Sequence, residues 1–298
     1  MAPPALECVP NVSEGRRPRV VARLADAAGR TPGVQLLDVS SDPDHNRSVL
    51  TLAGDAAALI AGMVELYAAA LAEIDLRRHQ GVHPRAGAVD VAPFVPLGET
   101  PMAAALGAAL GLAAAVAGRF DLPVYLYEEA ARIPQRRSLP AIRRGGFEGF
   151  AAKLADPQWA PDLGPNRLHP TAGVTVIGAR PALIAFNALL DTADVEVARA
   201  VARAVRESGG GLPAVRALGV YLPSRGRAQV SMNLLDFRRT SMAQALARVS
   251  HQAAALGSGV VETEVVGLLP RQAALDAARV SPELAARVAH QILEDRLR

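Results

Sequence analysis

Hydrophobic positions along the chain follow two spacings, about two residues and about 3.6 residues, which predict strands and helices in alternation. Strand-like runs lie at residues 6–10, 34–39, 48–53, 88–97, 123–127, 174–177, 183–187 and 260–266. Helical patterns lie at residues 18–28, 55–75, 101–118, 195–207 and 242–256, with a mostly helical tail at 275–297. The segment 128–171 is irregular, and so long a loop region in a compact chain is usually functional.

The second half contains a predicted hairpin, because the runs at 215–222 and 228–234 alternate about the short turn PSRGR. Each half then holds a helix, a strand–turn–strand unit, a second helix and a strand. That order is typical of split β-α-β, or ferredoxin-like, layers. The pattern predicts an α+β fold, an α/β sandwich of two halves whose sheets border a cleft. The segments 51–61 and 175–185 look alike, but one leads into a helix and the other into a strand, so they are not treated as a repeat.

The longest uncharged stretch covers residues 102–118 and consists mostly of Ala and Gly. A membrane-spanning helix needs roughly 20 predominantly apolar residues. Thr100 and Pro101 are suited to begin a helix, and Gly118 is suited to end one. We therefore expect a helix packed within a globular protein and no membrane partner.

The chain has 298 residues, half of them hydrophobic, which is enough to bury a large core in one or two domains. Its one cysteine, Cys8, excludes a disulfide framework and a thiolate-bound metal cluster, and it favours the cytoplasm. The formal net charge is +3, and of the 32 Lys and Arg residues only Lys153 is a lysine. Because the arginines are spread along the chain and form no basic stripe, we expect no nucleic-acid partner.

The segment RHQGVHPRAGAVDV, residues 78–91, concentrates residues that can carry chemistry. His79 and His83 stand four residues apart, a spacing that could bind zinc on a helix. Gly81 between them and Pro84 after them favour a loop that enters a strand. We therefore expect no metal site here.

His83 is the candidate acid–base catalyst, because Arg85 and Asp90 follow it closely and a neutral imidazole near pH 7 can move a proton in both directions. His45, between an aspartate and an asparagine, is the rival candidate. The chain has no GxxxxGK[ST] phosphate loop, no GxGxxG after the first strand and no GxSxG elbow. Cys8 lies inside a predicted strand, where a small buried core residue is the simpler interpretation.

Eight stretches of the chain resemble, in the same order, the formiminotransferase part of the formiminotransferase-cyclodeaminase family. They are CVPNVSEGR (8–16), DHNRSV (44–49), RHQGVHPRAGAVDVAPFVPL (78–97), PVYLYEEAA (123–131), RRSLPAIRRGGFEG (136–149), WAPDLGP (159–165), GVTVIGARPALIAFN (173–187) and AQVSMNLLDF (228–237). Eight ordered motifs from residue 6 to about 277 make the resemblance specific.

The resemblance implies a transferase, a glutamate formimidoyltransferase of histidine degradation and one-carbon metabolism. It would move the formimino group of N-formimidoyl-L-glutamate to N5 of tetrahydrofolate and release L-glutamate. Tetrahydrofolate would be a cosubstrate, with no metal or redox cofactor. Formyl transfer between N-formylglutamate and tetrahydrofolate, and a non-catalytic folate-binding protein, are the alternatives.

The resemblance also implies an architecture. Two subdomains, residues 1–178 and 179–298, would place facing mixed β-sheets around a folate-binding cleft, with the helices outside. The chain would have no cyclodeaminase domain, act on small molecules and form a homodimer.

Residue by residue, the catalytic histidine of the family falls on His83. The folate-binding stretch falls on Gly164, Pro165, Asn166, Arg167, Leu168, His169, Pro170, Thr171, Ala172 and Gly173. Because both substrates carry carboxylates, arginine forks and amides inside the motifs are candidate substrate-binding groups. The candidates are Asn11, Arg47, Arg85 and Arg180.

One position departs from the family pattern. Some members carry an aspartate at the end of the second strand, proposed to assist the histidine, and this chain has Ser40 there. Asp42 or Asp44 could take over that role, or the role is not general. Both possibilities stay open at the level of sequence.

Overall fold

The computed structural model describes residues 6–279 and 281–297. The chain divides into two compact units, and the division falls between Arg180 and Pro181. The resemblance placed a boundary two residues earlier, after residue 178. Each unit combines helices with a β-sheet, so the protein belongs to the α+β class that its hydrophobic pattern predicts.

The first unit is built on a seven-stranded mixed sheet. Its strands are β1 (Leu6–Cys8), β2 (Asn11–Val12), β3 (Gln35–Asp42), β4 (Arg47–Gly54), β5 (Val89–Pro96), β6 (Val124–Glu128) and β7 (Thr175–Ala179). Its helices are α1 (Pro18–Gly29), α2 (Ala56–Glu73), α3 (Met102–Phe120), α4 (Leu139–Arg143) and α5 (Gly146–Leu154). The strand order is β3, β4, then β1 and β2 in one position, then β5, β7 and β6. The pairs of β7 with β5 and β6 are parallel, and the others are antiparallel.

Both faces of the parallel strands are covered. One face packs against α2 and α3, where Phe94 of β5 and Leu112 are fully buried. On the other face, Val176 of β7 lies in a second cluster with Ile142 of α4 and Phe150 of α5. Parallel strands are ordinarily buried on both sides. The segment 128–171, which the sequence pattern predicts to be irregular, therefore contains α4 and α5, which cover this face of the sheet.

By length and apolar composition alone, α2 and α3 could each cross a membrane. Both pack on the sheet instead, with Met63 and Tyr67 of α2 and Leu112 of α3 fully buried in the core. The prediction of a packed helix at α3 is confirmed. The helix continues to Phe120, two residues past the predicted stop, and ends where Asp121 adopts the left-handed conformation.

The second unit contains a four-stranded antiparallel sheet in the order β11, β8, β10, β9. Its elements are β8 (Ile184–Leu190), α6 (Val195–Val205), β9 (Val215–Leu222), β10 (Arg227–Leu234), α7 (Met242–Ala254), β11 (Val260–Val266), α8 (Arg271–Ala278) and α9 (Pro282–Val288). The predicted hairpin is confirmed as β9 and β10. The predicted helical tail is divided into α8, α9 and a 3-10 turn at Leu293–Asp295. Ser281 caps the new helix that begins at Pro282.

The order β-α-β-β-α-β occurs once in each unit, from β1/β2 to β5 and from β8 to β11. In both sheets the first strand of this series lies between the third and the fourth, and the second strand lies at the edge. The first unit extends the arrangement with β7 and β6, which pair in parallel beyond β5. The residues just before β7 therefore lie next to the residues just before β5.

Candidate active site

His83 lies in the loop that leads into β5, and this loop rests on the turn between β3 and β4. A Cβ atom on Gly81 would lie 2.2 Å from the His45 carbonyl oxygen, so a side chain here would force the two segments apart. The Val82 amide donates to the carbonyl oxygen of Asp44 over 3.0 Å. Two motifs that are distant in sequence, HQGVHPR and DHNR, are thereby brought together.

A guanidinium holds the His83 ring in one tautomer. Nη1 of Arg47 lies 2.8 Å from Nε2 of His83. Because a guanidinium only donates, Nε2 is the acceptor and the ring proton lies on Nδ1. Nδ1 is buried near the Pro84 backbone, and no hydrogen-bond partner for it lies among the described residues. The ring also stacks on His45, with 5.6 Å between the ring centroids.

Several effects keep His83 neutral. Burial lowers its pKa well below the ordinary value, and the positive charges of Arg47 and Arg143 lower it further. Burial penalises the charged imidazolium, and neighbouring cations repel it. At neutral pH the ring is therefore an uncharged base.

His45 is 4% exposed, and its Nε2 makes no hydrogen bond within the described residues. Burial lowers its pKa, against the opposing effect of Asp42 and Asp44. Oδ1 of Asp42 accepts hydrogen bonds from the amides of Asp44 and His45, both at 2.8 Å, and so shapes the turn. Ser40 pairs with Val49 in the β3–β4 ladder. Of the acids near Ser40, Asp42 is thus the one that orients the backbone of His45.

Two arginines near His83 differ in their partners. Arg143 is ion-paired to Asp90 at 2.5 Å, and both side chains are nearly fully buried. Oδ1 of Asp90 also accepts hydrogen bonds from the amides of Ala86 and Gly87. Arg47 makes no ion pair with a carboxylate in the described ranges, and burial together with Arg143 lowers its pKa to about 10. Arg47 is therefore available to an anion.

The guanidinium of Arg85 donates hydrogen bonds to two neighbouring residues, Glu148 and His79. It donates from Nη1 and Nη2 to the Glu148 carboxylate, at 2.9 and 2.7 Å. Its Nε donates to Nδ1 of His79 over 2.9 Å, so the His79 proton lies on Nε2, which donates to the Asn46 carbonyl oxygen over 2.7 Å. The Phe147 amide donates to the carbonyl oxygen of Arg85. This chain of bonds joins the start of α5, the His83 loop and the β3–β4 turn.

The two histidines of the HQGVHPR stretch have different partners. Both ring nitrogens of His79 are engaged, with Arg85 and with the Asn46 backbone. Nε2 of His83 accepts from Arg47. In the part of the chain that the structure describes, no group of three or more His, Cys, Asp or Glu side chains is placed to hold a metal ion.

The C-terminal end of the segment 164–173 borders the same loop. Gly173 forms a bridge with Gly87, and the amides and carbonyls of Gly173 and His169 bond reciprocally at 3.0 and 3.1 Å. Gly173 has a φ of 72°, and a Cβ atom there would lie 2.1 Å from the carbonyl oxygen of Ala86. This end therefore requires glycine on steric grounds.

The polar side chains within the segment have local partners. Arg167 is ion-paired with Asp121, and both side chains are exposed. Nδ1 of His169 accepts a hydrogen bond from the Ala172 amide over 3.0 Å, and burial lowers the His169 pKa.

Two of the candidate substrate-binding residues lie along the sheet. Nδ2 of Asn11 donates to the carbonyl oxygen of Val9 over 3.1 Å. Arg180 follows the last residue of β7 and hydrogen-bonds Tyr127. It is seven residues from Gly173, or about 23 Å along the strand direction at roughly 3.3 Å per residue. The structure therefore groups Arg47 and Arg85 with His83 and places Arg180 at the other end of the strand.

Sequence reasoning did not single out Arg143 or Glu148, although both stand in RRSLPAIRRGGFEG. Gly145 and Gly146 follow Arg144, with φ angles of 93° and 61°. They turn the chain sharply, so that Glu148 meets Arg85. The double glycine between two charged residues was the available signal, since paired glycines mark such turns.

Comparison with known proteins gives the following relatives. Residues 5–180 match the model of the formiminotransferase domain, N-terminal subdomain, and residues 185–294 match that of the formiminotransferase domain. The glutamate formimidoyltransferases of Streptococcus pyogenes serotype M1 and Thermoplasma acidophilum are each 42% identical, over 92% of this chain and 91% of theirs. The formimidoyltransferase-cyclodeaminase of Rattus norvegicus is 42% identical over 92% of this chain and 51% of its own length.

Proposed function

Because the chain belongs to the formiminotransferase domain family, whose models match residues 5–180 and 185–294, we propose that it transfers a formimino group from N-formimidoyl-L-glutamate to N5 of tetrahydrofolate. The products are L-glutamate and 5-formimidoyltetrahydrofolate. The observation that carries the proposal is the contact of a neutral His83 with Arg47, an arginine without an ion-pair partner in the described ranges. That pair supplies a base beside a group that binds carboxylates.

The reaction moves one proton between two nitrogens. A bond forms between N5 and the formimino carbon, and N5 loses its proton. The bond between that carbon and the glutamate nitrogen breaks, and this nitrogen gains a proton. His83 takes the first proton at Nε2 and returns it to the departing nitrogen, so the enzyme is unchanged at the end of the cycle. Its lowered pKa keeps the accepting form populated at pH 7.

Arg47 binds a carboxylate of the glutamyl donor. A guanidinium fork matches a carboxylate in shape and charge, and the ion pair is stronger than a hydrogen bond to a neutral ring. When the carboxylate draws Arg47 towards itself, Nε2 of His83 becomes free to accept a proton.

The other candidates take different parts. Arg85 is a positioning residue, because its bonds to His79 and Glu148 order the loop that carries His83. Asp42 takes the place of the acid absent at Ser40 by orienting the His45 amide. Substrate binding by Asn11 and Arg180 stays a prediction.

The segment 164–173 binds tetrahydrofolate. The support is the position of Gly173, whose bridge to Gly87 puts this end of the segment on the His83 loop. The β-α-β-β-α-β order in both units supports two ferredoxin-like subdomains. The folate cleft between facing sheets stays a prediction.

The deciding experiment measures turnover of tetrahydrofolate with N-formimidoyl-L-glutamate and, in parallel, with N-formyl-L-glutamate, by the absorbance change of the folate. Faster reaction of the formimino donor is the expected result. A preference for the formyl donor would change the reaction and keep the pocket. Tight folate binding without turnover of either donor would contradict the proposal and indicate a binding protein.

We assign the enzyme to the cytoplasm and expect a homodimer. The only cysteine, Cys8, is buried and free, as is usual for a protein of a reducing compartment. The outer face of α3 presents an uncharged stripe with Gly107 and Leu110 exposed, which suits contact with a second copy. Light scattering of the purified protein would measure the mass, and a monomer would contradict the expectation.

A further inference from the structure

Arg143, the last residue of α4, reaches the site from a different part of the chain. Its side chain is 11% exposed and is ion-paired to Asp90 at 2.5 Å. Asp90 in turn accepts hydrogen bonds from the amides of Ala86 and Gly87, on the loop that carries His83. Arg143 is therefore tied to the catalytic loop by a buried contact.

The segment that carries Arg143 is fixed by contacts of its own. Nζ of Lys153 donates to the carbonyl oxygens of Ala141 and Ile142, both at 2.6 Å, and so caps the C-terminal end of α4. Lys153 is itself held 3.7 Å from the centroid of the Trp159 ring. A side chain that is ordered in advance loses less entropy when it binds a ligand. The contacts of Lys153 therefore fix the end of α4 from which the Arg143 side chain extends.

The positive charges near His83 are not all paired with a carboxylate among the described residues. The positive charge of Arg143 lowers the pKa of both His83 and Arg47. Nε of Arg143 is buried and has no hydrogen-bond partner among the described residues. Within the described residues, Arg143 is in ion-pair contact with Asp90, and Arg47 has no such partner. A carboxylate placed between the two guanidinium groups would relieve their mutual repulsion. A glutamyl donor carries two carboxylates.

We infer that Arg143 binds a carboxylate of the glutamyl donor together with Arg47, and so makes the site selective for a dicarboxylic amino acid substituted on nitrogen. The identity of the donor rests on the proposed function. Arg143 is then a substrate-binding residue, and proton transfer stays with His83. Because a lysine cannot form the planar fork, Arg143→Lys keeps the charge and a partner for Asp90 but removes the bidentate geometry.

The test compares Arg143→Lys with Arg144→Lys and with the unchanged protein. Arg144 is the next residue and is exposed, so it serves as the matched control. Titration calorimetry measures binding of the product L-glutamate, and steady-state kinetics give KM for each substrate. We expect Arg143→Lys to weaken glutamate binding and raise the donor KM by about 10- to 100-fold, the loss of one charge-assisted contact. The KM for tetrahydrofolate stays as in the unchanged protein, and so does every parameter of Arg144→Lys.

Selectivity gives a second measurement. 4-Aminobutyrate and L-norvaline each lack one carboxylate of glutamate, and the unchanged protein should bind at least one of them far more weakly than glutamate. Arg143→Lys should lose that discrimination. Circular dichroism checks folding, and the pair Asp90→Asn with Arg143→Gln, which removes both charges, replaces the single variant if it does not fold.

The failures of the two proposals are distinguishable. Equal glutamate binding by Arg143→Lys and the unchanged protein would overturn the inference, as would no glutamate binding by the unchanged protein. A loss confined to kcat would overturn it too. No turnover of the formimino donor by the unchanged protein would overturn the proposed function, and calorimetry would still decide the role of Arg143.

Discussion

Nη1 of Arg47 donates a hydrogen bond to Nε2 of His83 over 2.8 Å, so the proposed anion-binding group and the proposed base are in direct contact. The lone pair that would accept a proton is engaged while this contact lasts. A donor carboxylate competes for the guanidinium with a stronger, charge-assisted bond. In the proposed mechanism, donor binding and release of the base are therefore one event.

Replacing His83 with asparagine should lower kcat by about 10²- to 10⁴-fold, the usual contribution of a positioned acid–base group. The substitution leaves an amide that can still accept from Arg47 and cannot carry a proton. Tetrahydrofolate binding, measured by fluorescence quenching or calorimetry, should change little. His251→Asn, an exposed histidine on α7, is the matched control. Unchanged turnover in His83→Asn would remove His83 from the mechanism.

Replacing Arg47 with glutamine should move the acid limb of the kcat/KM profile to higher pH. The neutral form of His83 is the proposed base, so we expect activity to fall as the pH drops through the folded-state pKa of His83. Arg47 is the largest cause after burial of the lowering of that pKa from the ordinary 6.5. Without the positive charge the pKa rises, and protonation begins at a higher pH.

The control for this prediction is Arg47→Lys, which keeps the positive charge and should leave the acid limb close to that of the unchanged protein. The profiles are measured from about pH 4 to pH 9 at low donor concentration, where kcat/KM reports the free enzyme. An acid limb in Arg47→Gln that stays in place or moves to lower pH would contradict the electrostatic coupling of the two residues.

Local signals were sufficient for most elements of the fold. The hairpin of β9 and β10 and the helix α3 follow from periodicity and from turn residues next to them in sequence. The likeness of residues 51–61 and 175–185 was rightly discounted, because the first runs from β4 into α2 and the second from β7 into β8. The two sheets correspond in strand order, with β1/β2 to β5 matching β8 to β11. Strand order depends on pairings between segments that are distant in sequence.

Contacts of the candidate site could be predicted where its residues are neighbours in a motif. His83 is indicated by the residues that surround it in HQGVHPR, and the structure places the DHNR motif beside it. Arg143 could not be recognised in this way, because only the cover formed by α4 and α5 brings it to Asp90. The partners of Arg85 are equally dependent on the fold, since Glu148 is 63 residues away in sequence.

Replacing Glu148 with glutamine should lower kcat by about tenfold and leave stability nearly unchanged. The Glu148 side chain is 66% exposed, and exposed ion pairs contribute about 0–1 kcal/mol to the free energy of unfolding. Its carboxylate nevertheless holds Arg85, which holds the loop of His83, and small displacements of catalytic groups have large effects on rate.

The matched control is Glu129→Gln, which removes another exposed carboxylate paired with an arginine, Arg137. Thermal unfolding and steady-state kinetics are measured on both variants. If the two variants have the same kcat, the bond between Glu148 and Arg85 does not position the loop. A large fall in melting temperature for Glu148→Gln alone would indicate a structural role instead.

Replacing Gly173 with alanine should lower the free energy of unfolding by about 2 kcal/mol or more. Its φ of 72° costs an L-residue about 1–2 kcal/mol, and the new Cβ atom would meet the carbonyl oxygen of Ala86 at 2.1 Å. Gly118→Ala in α3 is the control, because its Cβ atom would have no neighbour within 4 Å among the residues that the structure describes. That change should stabilise the protein by about 0.5–1 kcal/mol, since alanine favours a helix interior.

Urea unfolding of both variants, followed by circular dichroism, tests the steric part of this prediction, and folate binding tests its functional part. Displacing Gly173 moves the end of the segment 164–173 away from Gly87, so the affinity for tetrahydrofolate should fall in the folded fraction of Gly173→Ala and stay constant in Gly118→Ala. A destabilised Gly173→Ala that binds folate with full affinity would separate this segment from the folate site, because its geometry would then matter to the fold alone.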